Sequence, residues 1–469
     1  MRGDAAARQA GPRAGPPPPD ARWRLLPRLL NLHTLALRDC TIGASEVNLL
    51  VSYSPRRLRH VTLSGACIVA GAEPLAAAWR HVEFLVVEHP VEAGGEDDGQ
   101  GCASLLALAA QLPALRHLEL RRCRLGPVAQ RSLAACAGRL RSLRLARCQL
   151  CGSDVLAAVQ TSNLQLLNVV DCSAAAASGA RGPPPSSGAA AAPLAFLAPA
   201  LENLTLCTAL PGCLPFETGS MPVCALPDAL GSPLTSLSLG GTDLRSAAAA
   251  ALCAARLPLL EELSANCAWL DAASVRALLR CHWPRLRRLR LSHAQAGAAA
   301  SGELAAAAAR WPALESLELR VCSFAGPAMA SLAAAPFPRL SRLHLFLCCI
   351  QGVPYEGAAR GGAGAAKDSF GALAGGSWPQ LRELLLDYCR HEERDAGWTL
   401  ALWGGTSPLS AAGGAQLAQG PWPRLGLLHL NAFHRGRGQD VSPREAALAP
   451  ARRRWPQARV TRAPSELRD

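Results

Sequence analysis

The sequence predicts an α/β solenoid, in which short strand-and-helix units stack side by side. Three observations lead to this fold class: a leucine pattern that recurs along the chain, a nearly constant spacing between its copies, and a shortage of aromatic residues. Aromatic side chains make up only 4% of the 469 residues, so the core has to come from leucine, valine, alanine and cysteine. A repeated unit meets that condition, because each unit buries its apolar face against the next.

The repeated pattern is clearest at residues 115–123, Leu-Arg-His-Leu-Glu-Leu-Arg-Arg-Cys, which follow the rule L-x-x-L-x-L-x-x-C. The same frame recurs at residues 32–40, 140–148, 164–172, 314–322, 340–348 and 381–389. Looser copies begin at Leu58, Val82, Leu201, Leu234, Leu260, Leu286 and Leu425, which makes about fourteen copies in all. Neighbouring copies over residues 115–164 and 234–340 start 24 to 28 residues apart. This spacing lies in the range of leucine-rich repeats.

Each copy predicts one short strand followed by one helix. The two leucines of x-L-x-L-x lie on the same side of a strand, because side chains alternate with a period of two. The residues that follow, for example 128–138 and 271–281, carry apolar residues at helical spacing and return the chain. Proline after tryptophan or phenylalanine precedes several strands, at residues 283–284, 311–312, 337–338, 378–379 and 422–423. Proline ends the helix, and we expect the aromatic ring to fill the gap before the strand.

These copies predict one solenoid over residues 23–440, after a disordered segment at 1–22. A basic tail at 441–469 follows, in which Trp455-Pro456 suggests a terminal half-repeat. Longer gaps between copies are rich in alanine, glycine, serine and proline. They predict flexible insertions near residues 173–193, 351–377 and 391–420.

The net charge of +13 is concentrated at the two ends of the chain. Residues 1–30 and 441–469 each carry +4, which leaves +5 for the long body between them. A surface that binds nucleic acid needs its charge on one face, so this distribution disfavours nucleic acid as the partner. Binding of nucleic acid or another anionic surface through the arginine-rich tails stays open as an alternative function.

Targeting signals are weak in this sequence. No stretch of about 18 apolar residues predicts a membrane span, and the N-terminus lacks the apolar core of a secretory signal. We therefore expect a cytoplasmic or nuclear location, with the cytoskeleton or ciliary axoneme as an alternative. The arginine- and alanine-rich start also leaves an organelle transit peptide open. Without an export signal, the 18 cysteines are expected to be reduced thiols.

Residues that could carry chemistry are scattered. Most cysteines of the repeat occupy one slot after the strand, where a small buried thiol suits a turn. Cys148 and Cys151 form a single C-x-x-C without a second pair at zinc-binding spacing. Residues 361–369 only faintly resemble a phosphate-binding loop, and no catalytic signature is found. We expect a protein without catalytic activity, metal or cofactor; an enzyme with its site in the insertions is the alternative.

The rule L-x-x-L-x-L-x-x-C with repeats near 26 residues resembles the cysteine-containing class of leucine-rich repeats, over roughly residues 25–435. This class is familiar from F-box proteins, the substrate receptors of cullin-based ubiquitin ligases, and the architecture is similar to that of ribonuclease inhibitor. The resemblance implies a horseshoe with parallel strands on the concave face and helices on the convex face. It also implies the substrate-recognition arm of a ubiquitin ligase of the SCF type. No F-box is seen, so binding to the ligase adaptor is expected only if an F-box lies upstream.

The candidate binding surface follows from the repeat frame. Residues that flank the two strand leucines have to face the concave side, because the leucines face inward. The C-terminal third of that face gathers charged and aromatic residues: Arg288, Arg290, Glu318, Arg320, Arg342, His344, Phe346 and Asp387. Arginine beside an exposed aromatic ring is typical of protein-binding hot spots. The alternative is a solvated face on which Arg290 and Glu318 only pair across adjacent strands. We expect a protein partner, and a cytoskeletal or ciliary scaffold is a close alternative function.

Overall fold

A computed structural model describes much of the repeat region. The described residues are 31–53, 56–68, 72–90, 100–150, 163–174, 200–207, 233–240, 249, 252–253, 257–270, 272–296, 301–320, 322–324, 326–346, 349–351, 373–387, 390–392, 415, 417–431 and 445–461. The chain divides into two compact units, residues 1–136 and 137–469. The predicted disordered segment 1–22, the loop at 361–369 and Cys151 lie outside the described residues, as do most of the three predicted insertions.

The first unit repeats a strand, a very short second strand and a helix. Its elements are β1 (Thr34–Arg38), β2 (Thr41–Ile42), α1 (Ala44–Ser52), β3 (His60–Ser64), β4 (Cys67–Ile68), α2 (Ala72–Ala78), β5 (Phe84–Glu88), α3 (Gln100–Gln111), β6 (His117–Arg121), β7 (Arg124–Leu125) and α4 (Pro127–Ala137), which ends at the boundary. Strands β1, β3, β5 and β6 pair in that order, and every pair is parallel. Strand β2 pairs with β4 in a second, smaller sheet.

The second unit continues the same alternation. Its strands and helices are β8 (Ser142–Ala146), β9 (Gln149–Leu150), β10 (Leu166–Val170), β11 (Ser173–Ala174), β12 (Asn203–Cys207), β13 (Ser236–Gly240), β14 (Glu262–Leu270), α5 (Ala272–Arg280), β15 (Arg288–Ala296), α6 (Ser301–Arg310), β16 (Ser316–Arg320), β17 (Ser323–Phe324), α7 (Gly326–Ala334), β18 (Arg342–Phe346), β19 (Cys349–Gln351), β20 (Glu383–Asp387), β21 (Arg390–Glu392), β22 (Leu427–Asn431), α8 (Glu445–Arg454) and β23 (Arg459–Thr461).

The main sheet of the second unit is parallel between every pair of neighbours. Its order is β8, β10, β12, β13, β14, β15, β16, β18, β20, β22 and β23. The end of β15 and the short strands β17, β19 and β21 form a second ladder beside it. None of the helices in the described ranges has the length and apolar character needed to cross a membrane.

The register of the strands explains why the leucine pattern dictates this sheet. Leu289 is paired with Leu317, Leu317 with Leu343, and Leu343 with Leu384. All four side chains are at most 4% exposed. Because side chains alternate along a strand, aligning the leucines places every residue between them on the opposite side. The predicted leucine-rich-repeat solenoid of parallel strands and helices is therefore confirmed.

The turns after six of the main strands, β1, β3, β5, β6, β8 and β10, use a left-handed residue immediately before the cysteine slot. Six residues at that position have φ between 46° and 58°: Asp39, Gly65, His89, Arg122, Arg147 and Asp171. The amide of Asp39 donates a hydrogen bond of 2.8 Å to the carbonyl oxygen of Ser64, and the amide of Gly65 donates one of 2.9 Å to Glu88. The left-handed bend thus lets each turn join the strand of the next repeat.

The cysteines in that slot are structural. The buried thiols of Cys123 and Cys322 donate to the carbonyl oxygens two residues earlier, at 3.4 and 3.2 Å. They also reach the strand of the preceding repeat, at Val87 and Leu291, both at 3.7 Å. A thiol that satisfies backbone carbonyls in two repeats explains why cysteine, and not leucine, occupies this position.

The tryptophans before the strands also connect repeats. The indole Nε1 of Trp311 donates to the carbonyl oxygen of Cys281 at 3.0 Å, and that of Trp422 donates to Gly376 at 2.9 Å. The Trp422 ring is stacked on that of Trp455, with centroids 5.6 Å apart. The rings therefore fill the gap between helix and strand and satisfy carbonyl groups at the helix ends.

One pair of cysteines departs from the expectation of reduced thiols. Cys253 and Cys281 form a disulfide, with Cα atoms 5.0 Å apart. Cys281 directly follows α5, and Cys253 lies in a helical segment of the preceding repeat. Stacking of neighbouring repeats brings these two positions together, and the spacing of the sequence does not reveal such a contact. The expectation that all cysteines are reduced is therefore wrong for this pair.

Candidate protein-binding face

The eight candidate residues lie on four neighbouring strands of the second unit. Arg288 and Arg290 belong to β15, Glu318 and Arg320 to β16, and the remaining four to β18 and β20. All occupy the first, third or fifth position of a strand, and the leucines at the second and fourth positions are buried. We call the side opposite those leucines the open face.

The strand register places these residues in rows across the sheet. Arg290 is paired with Glu318, and Glu318 with His344. Arg320 is paired with Phe346, and Phe346 with Asp387. Since paired strands lie about 4.8 Å apart, side chains in one row can contact each other directly.

Glu318 is the centre of a charged cluster. Its carboxylate accepts a hydrogen bond of 2.6 Å from Nε of Arg290 and another from Nε of Arg320. Nδ1 of His344 lies 3.7 Å from the same carboxylate. Burial by itself raises the pKa of Glu318, but the hydrogen bonds from Arg320 and Arg290 outweigh it and hold the pKa below its ordinary value. Glu318 is therefore a charged anchor that fixes both guanidinium groups.

Phe346 provides the aromatic part of the face. The guanidinium carbon of Arg320 lies 5.7 Å from the centre of the Phe346 ring, which is the geometry of a cation–π contact. The His344 ring meets Phe346 edge-on, with centroids 6.2 Å apart. Arg320 thus links the carboxylate of Glu318 to the aromatic ring.

Two glutamates that the sequence reasoning missed extend the cluster on both sides. NH1 of Arg288 lies 2.5 Å from Glu262 on β14, and Nε of Arg342 lies 2.5 Å from Glu383 on β20. The hydrogen bond that Arg342 donates to Glu383 raises the pKa of Arg342. Both glutamates occupy the first strand position, as Arg288 and Arg342 do, so aligning that column of the repeat would have found them.

Two residues expected on the open face are buried. Ser292 is 1% exposed and His429 is 0% exposed. Each lies next to a more accessible residue in its row, Arg320 beside Ser292 and Leu385 beside His429, so the alternation rule alone does not reveal their burial. The accessible part of this face in the second unit is correspondingly narrower than the repeat frame predicts.

The first unit has an aromatic stack that the sequence reasoning also missed. The rings of His60, Phe84 and His117 lie on β3, β5 and β6 at the first strand position. The Phe84 ring is stacked between the two imidazoles, with centroids 4.3 and 4.0 Å away. Comparison of that strand position between copies would have revealed the row.

The described residues include no metal-binding group. No three His, Cys, Asp or Glu side chains converge among them in a way that could hold a metal ion. The thiol of Cys172 is engaged by the neighbouring thiol of Cys148, and this contact, together with burial, raises the pKa of Cys172. Such a thiol is a poor nucleophile and a poor metal ligand at neutral pH.

Comparisons with known proteins find solved structures of low similarity. The chain matches no protein-family model and no curated protein sequence. The solved structures that resemble it include the following three. A leucine-rich-repeat protein of Leptospira interrogans is 15% identical, with a TM-score of 0.45, over 93% of this chain and 97% of the other. An internalin of Listeria monocytogenes is 15% identical, with a TM-score of 0.33, over 70% and 84%. TLR13 in complex with ssRNA13 is 16% identical, with a TM-score of 0.39, over 81% of this chain and 40% of the TLR13 chain.

All three similarities are low. The chain spans less than half the length of TLR13, and each of the three identities is below 20%. The parallel register and the buried leucine columns identify the fold independently. By those features the chain is a leucine-rich-repeat solenoid.

Proposed function

We propose that this protein is a non-catalytic scaffold whose protein partner docks on the open face of strands β14 to β20. The observation that carries the proposal is the cluster of Arg290, Glu318, Arg320 and Phe346 on the side of the strands opposite the buried leucines, with the Arg290 and Arg320 side chains 49% and 43% exposed. Side chains of arginine and aromatic residues are enriched at the centres of protein interfaces.

The arrangement of the cluster favours binding over a purely solvated face. Arg290 and Arg320 are held by the same carboxylate, and Arg320 also lies over the Phe346 ring. Side chains that are already ordered lose less conformational entropy when a partner binds. The cluster therefore offers preorganised donors and an aromatic surface side by side.

The proposal is tested with the combined variant Arg320→Ala/His344→Ala/Phe346→Ala. Wild-type and variant proteins serve as baits for cell extract, and captured proteins are quantified by mass spectrometry. Hot-spot residues are each worth about 2 kcal/mol or more, so a true partner should be depleted roughly tenfold or more by the variant. The matched control, Arg453→Ala/Arg454→Ala, changes exposed arginines of α8 and should keep the partner. Equal capture by wild type and triple variant, with unchanged far-ultraviolet circular dichroism, would refute the proposal.

A role as the substrate-recognition arm of a ubiquitin ligase is a finer form of the same proposal. It requires an F-box module and predicts co-purification with the ligase adaptor. If the partner is captured but the adaptor never co-purifies with a chain extended upstream, the ubiquitin-ligase role is excluded. A plain scaffold, for example at the cytoskeleton or in a cilium, then accounts for the binding.

Binding through the arginine-rich C-terminal tail needs a test that spares the fold. Strand β23 pairs with β22, and Trp455 is 3% exposed against Trp422. Deleting residues 441–469 would therefore uncover the last repeat. Substitution of Arg452, Arg453 and Arg454 by glutamine removes the charge alone, and loss of salt-sensitive binding to an anionic probe would favour the tail function.

A further inference from the structure

The open face of strands β15, β16 and β18 carries an excess of positive charge. Its first, third and fifth strand positions hold four arginines and one carboxylate, with the residues Arg288, Arg290, Ser292, Ser316, Glu318, Arg320, Arg342, His344 and Phe346. Glu262 and Glu383 lie on the flanking strands β14 and β20. The cations are thus concentrated in the middle of the face, around Glu318, and Glu262 and Glu383 lie at its sides.

The arginines also form the outer layer of the cluster. The side chain of Arg290 is 49% exposed and that of Arg320 is 43% exposed, whereas that of Glu318 between them is 13% exposed. In the two flanking ion pairs the arginine side chain is also more exposed than the glutamate side chain. Arg288 is 69% exposed and Glu262 45%, and Arg342 is 55% exposed and Glu383 32%. A partner that approaches this face therefore meets guanidinium groups before it meets carboxylates.

Ser316 is a small, neutral residue between two of these arginines. It is paired with Arg288 on one side and with Arg342 on the other, in the first row of the face. Arg288 pairs with Glu262 and Arg342 with Glu383, and both glutamates lie on the strands remote from Ser316. Each guanidinium has five N–H donors in a planar fork, of which these contacts use only a part. A carboxylate placed over Ser316 can accept hydrogen bonds from both neighbours.

From this geometry, and resting on the proposed function, we infer that the partner presents an acidic segment whose carboxylate lies over Ser316, between Arg288 and Arg342. Complementary charge of this kind directs a partner and fixes its register. A protein segment fits better than a nucleic acid, because every nucleotide of a strand carries a phosphate. A continuous row of phosphates would meet Glu262, Glu318 and Glu383 as well as the arginines. Single carboxylates separated by neutral residues avoid that repulsion.

The test uses fluorescence anisotropy at low ionic strength with a rhodamine-labelled peptide of alternating glutamate and serine. The same peptide with glutamine in place of glutamate is the neutral probe, and a single-stranded oligothymidylate of similar length is the phosphate probe. We expect the glutamate peptide to bind more tightly than both. Equal affinity for the glutamate and glutamine peptides, or tighter binding of the oligothymidylate, would overturn the inference.

Variants locate the site. Arg288→Gln/Arg342→Gln is expected to raise the Kd of the glutamate peptide by roughly 3- to 30-fold, from the usual strength of exposed ion pairs. Arg288→Lys/Arg342→Lys keeps the charge and should recover much of the affinity. The control Arg453→Gln/Arg454→Gln removes the same charge away from the face and should leave the Kd unchanged. An unchanged Kd in the Arg288/Arg342 glutamine variant, or an equal loss of affinity in the control variant, would contradict the placement of the binding site between Arg288 and Arg342.

The outcome is separable from that of the proposed function. A cellular partner that the Arg320/His344/Phe346 alanine variant loses, but that the Arg288/Arg342 glutamine variant retains, would uphold the scaffold and refute the acidic segment. A partner that both variants lose and whose binding weakens steeply with salt would support both.

Discussion

Substitution of Glu318 by glutamine tests the central element of the charged cluster. Glutamine keeps the shape of the side chain and one acceptor oxygen, but it removes the charge that faces Arg290, Arg320 and His344. The Glu318 side chain is only 13% exposed, so its carboxylate is less screened by water than that of an ordinary surface residue. Both arginine partners are more than two-fifths exposed, which weakens each contact.

The expected loss follows from these exposures. Exposed ion pairs contribute about 0.2 to 1 kcal/mol each, and Glu318 has two arginine partners with the carboxylate itself mostly covered. We therefore expect the free energy of unfolding at neutral pH to fall by about 1 to 2 kcal/mol. Urea denaturation of wild type and variant measures the difference. The control Glu262→Gln, with a 45% exposed side chain and its ion pair to Arg288, should cost about 0.5 kcal/mol or less.

The pH dependence of this difference has a definite sign. The pKa of Glu318 is lowered in the folded protein, relative to an ordinary value of 4.5. A lowered pKa contributes stability that is present above the unfolded value and is lost as the pH falls through the folded value. The difference in the free energy of unfolding between wild type and Glu318→Gln should therefore become smaller as the pH is lowered from about 7 to about 3. Equal stabilities at neutral pH, or a gap that stays constant with pH, would refute the role assigned to Glu318.

Three further predictions concern the turns and the cysteines. Gly65→Ala should destabilise the protein by about 1 to 3 kcal/mol, since Gly65 has a φ of 58° and a new Cβ would collide with the Asp39 carboxylate; an unchanged urea midpoint would contradict this. Replacing Cys253 and Cys281 by serine should reduce the free energy of unfolding of the oxidised protein by about 2 to 4 kcal/mol and so lower its thermal midpoint. The same replacement should have much less effect in excess reductant. Because the pKa of Cys172 is raised, iodoacetamide should modify it far more slowly in the folded than in the urea-unfolded protein at neutral pH, as peptide mapping would show.

Much of the fold follows directly from local rules in the sequence. The leucine columns require a parallel register, since only alignment of one repeat on the next buries all of them. The cysteine after the strand and the tryptophan before it were predicted to have structural roles, and Cys322 and Trp311 bond to backbone carbonyls as those roles require. The eight candidate residues were placed on one face because side-chain alternation along a strand is geometric.

The remaining features depend on contacts between residues that are distant in sequence. The choice of partners within the cluster, with Arg288 paired to Glu262 and Arg342 to Glu383, depends on which rotamer each long side chain adopts among its neighbours. The burial of Ser292 and His429 and the Cys253–Cys281 disulfide depend on the packing of whole repeats. The sequence by itself determined which residues of each strand share the side of the buried leucines and which lie on the opposite side, because that follows from a period of two. Only the tertiary structure decided which outward-facing residues meet, because that depends on distances across repeats that no local period specifies.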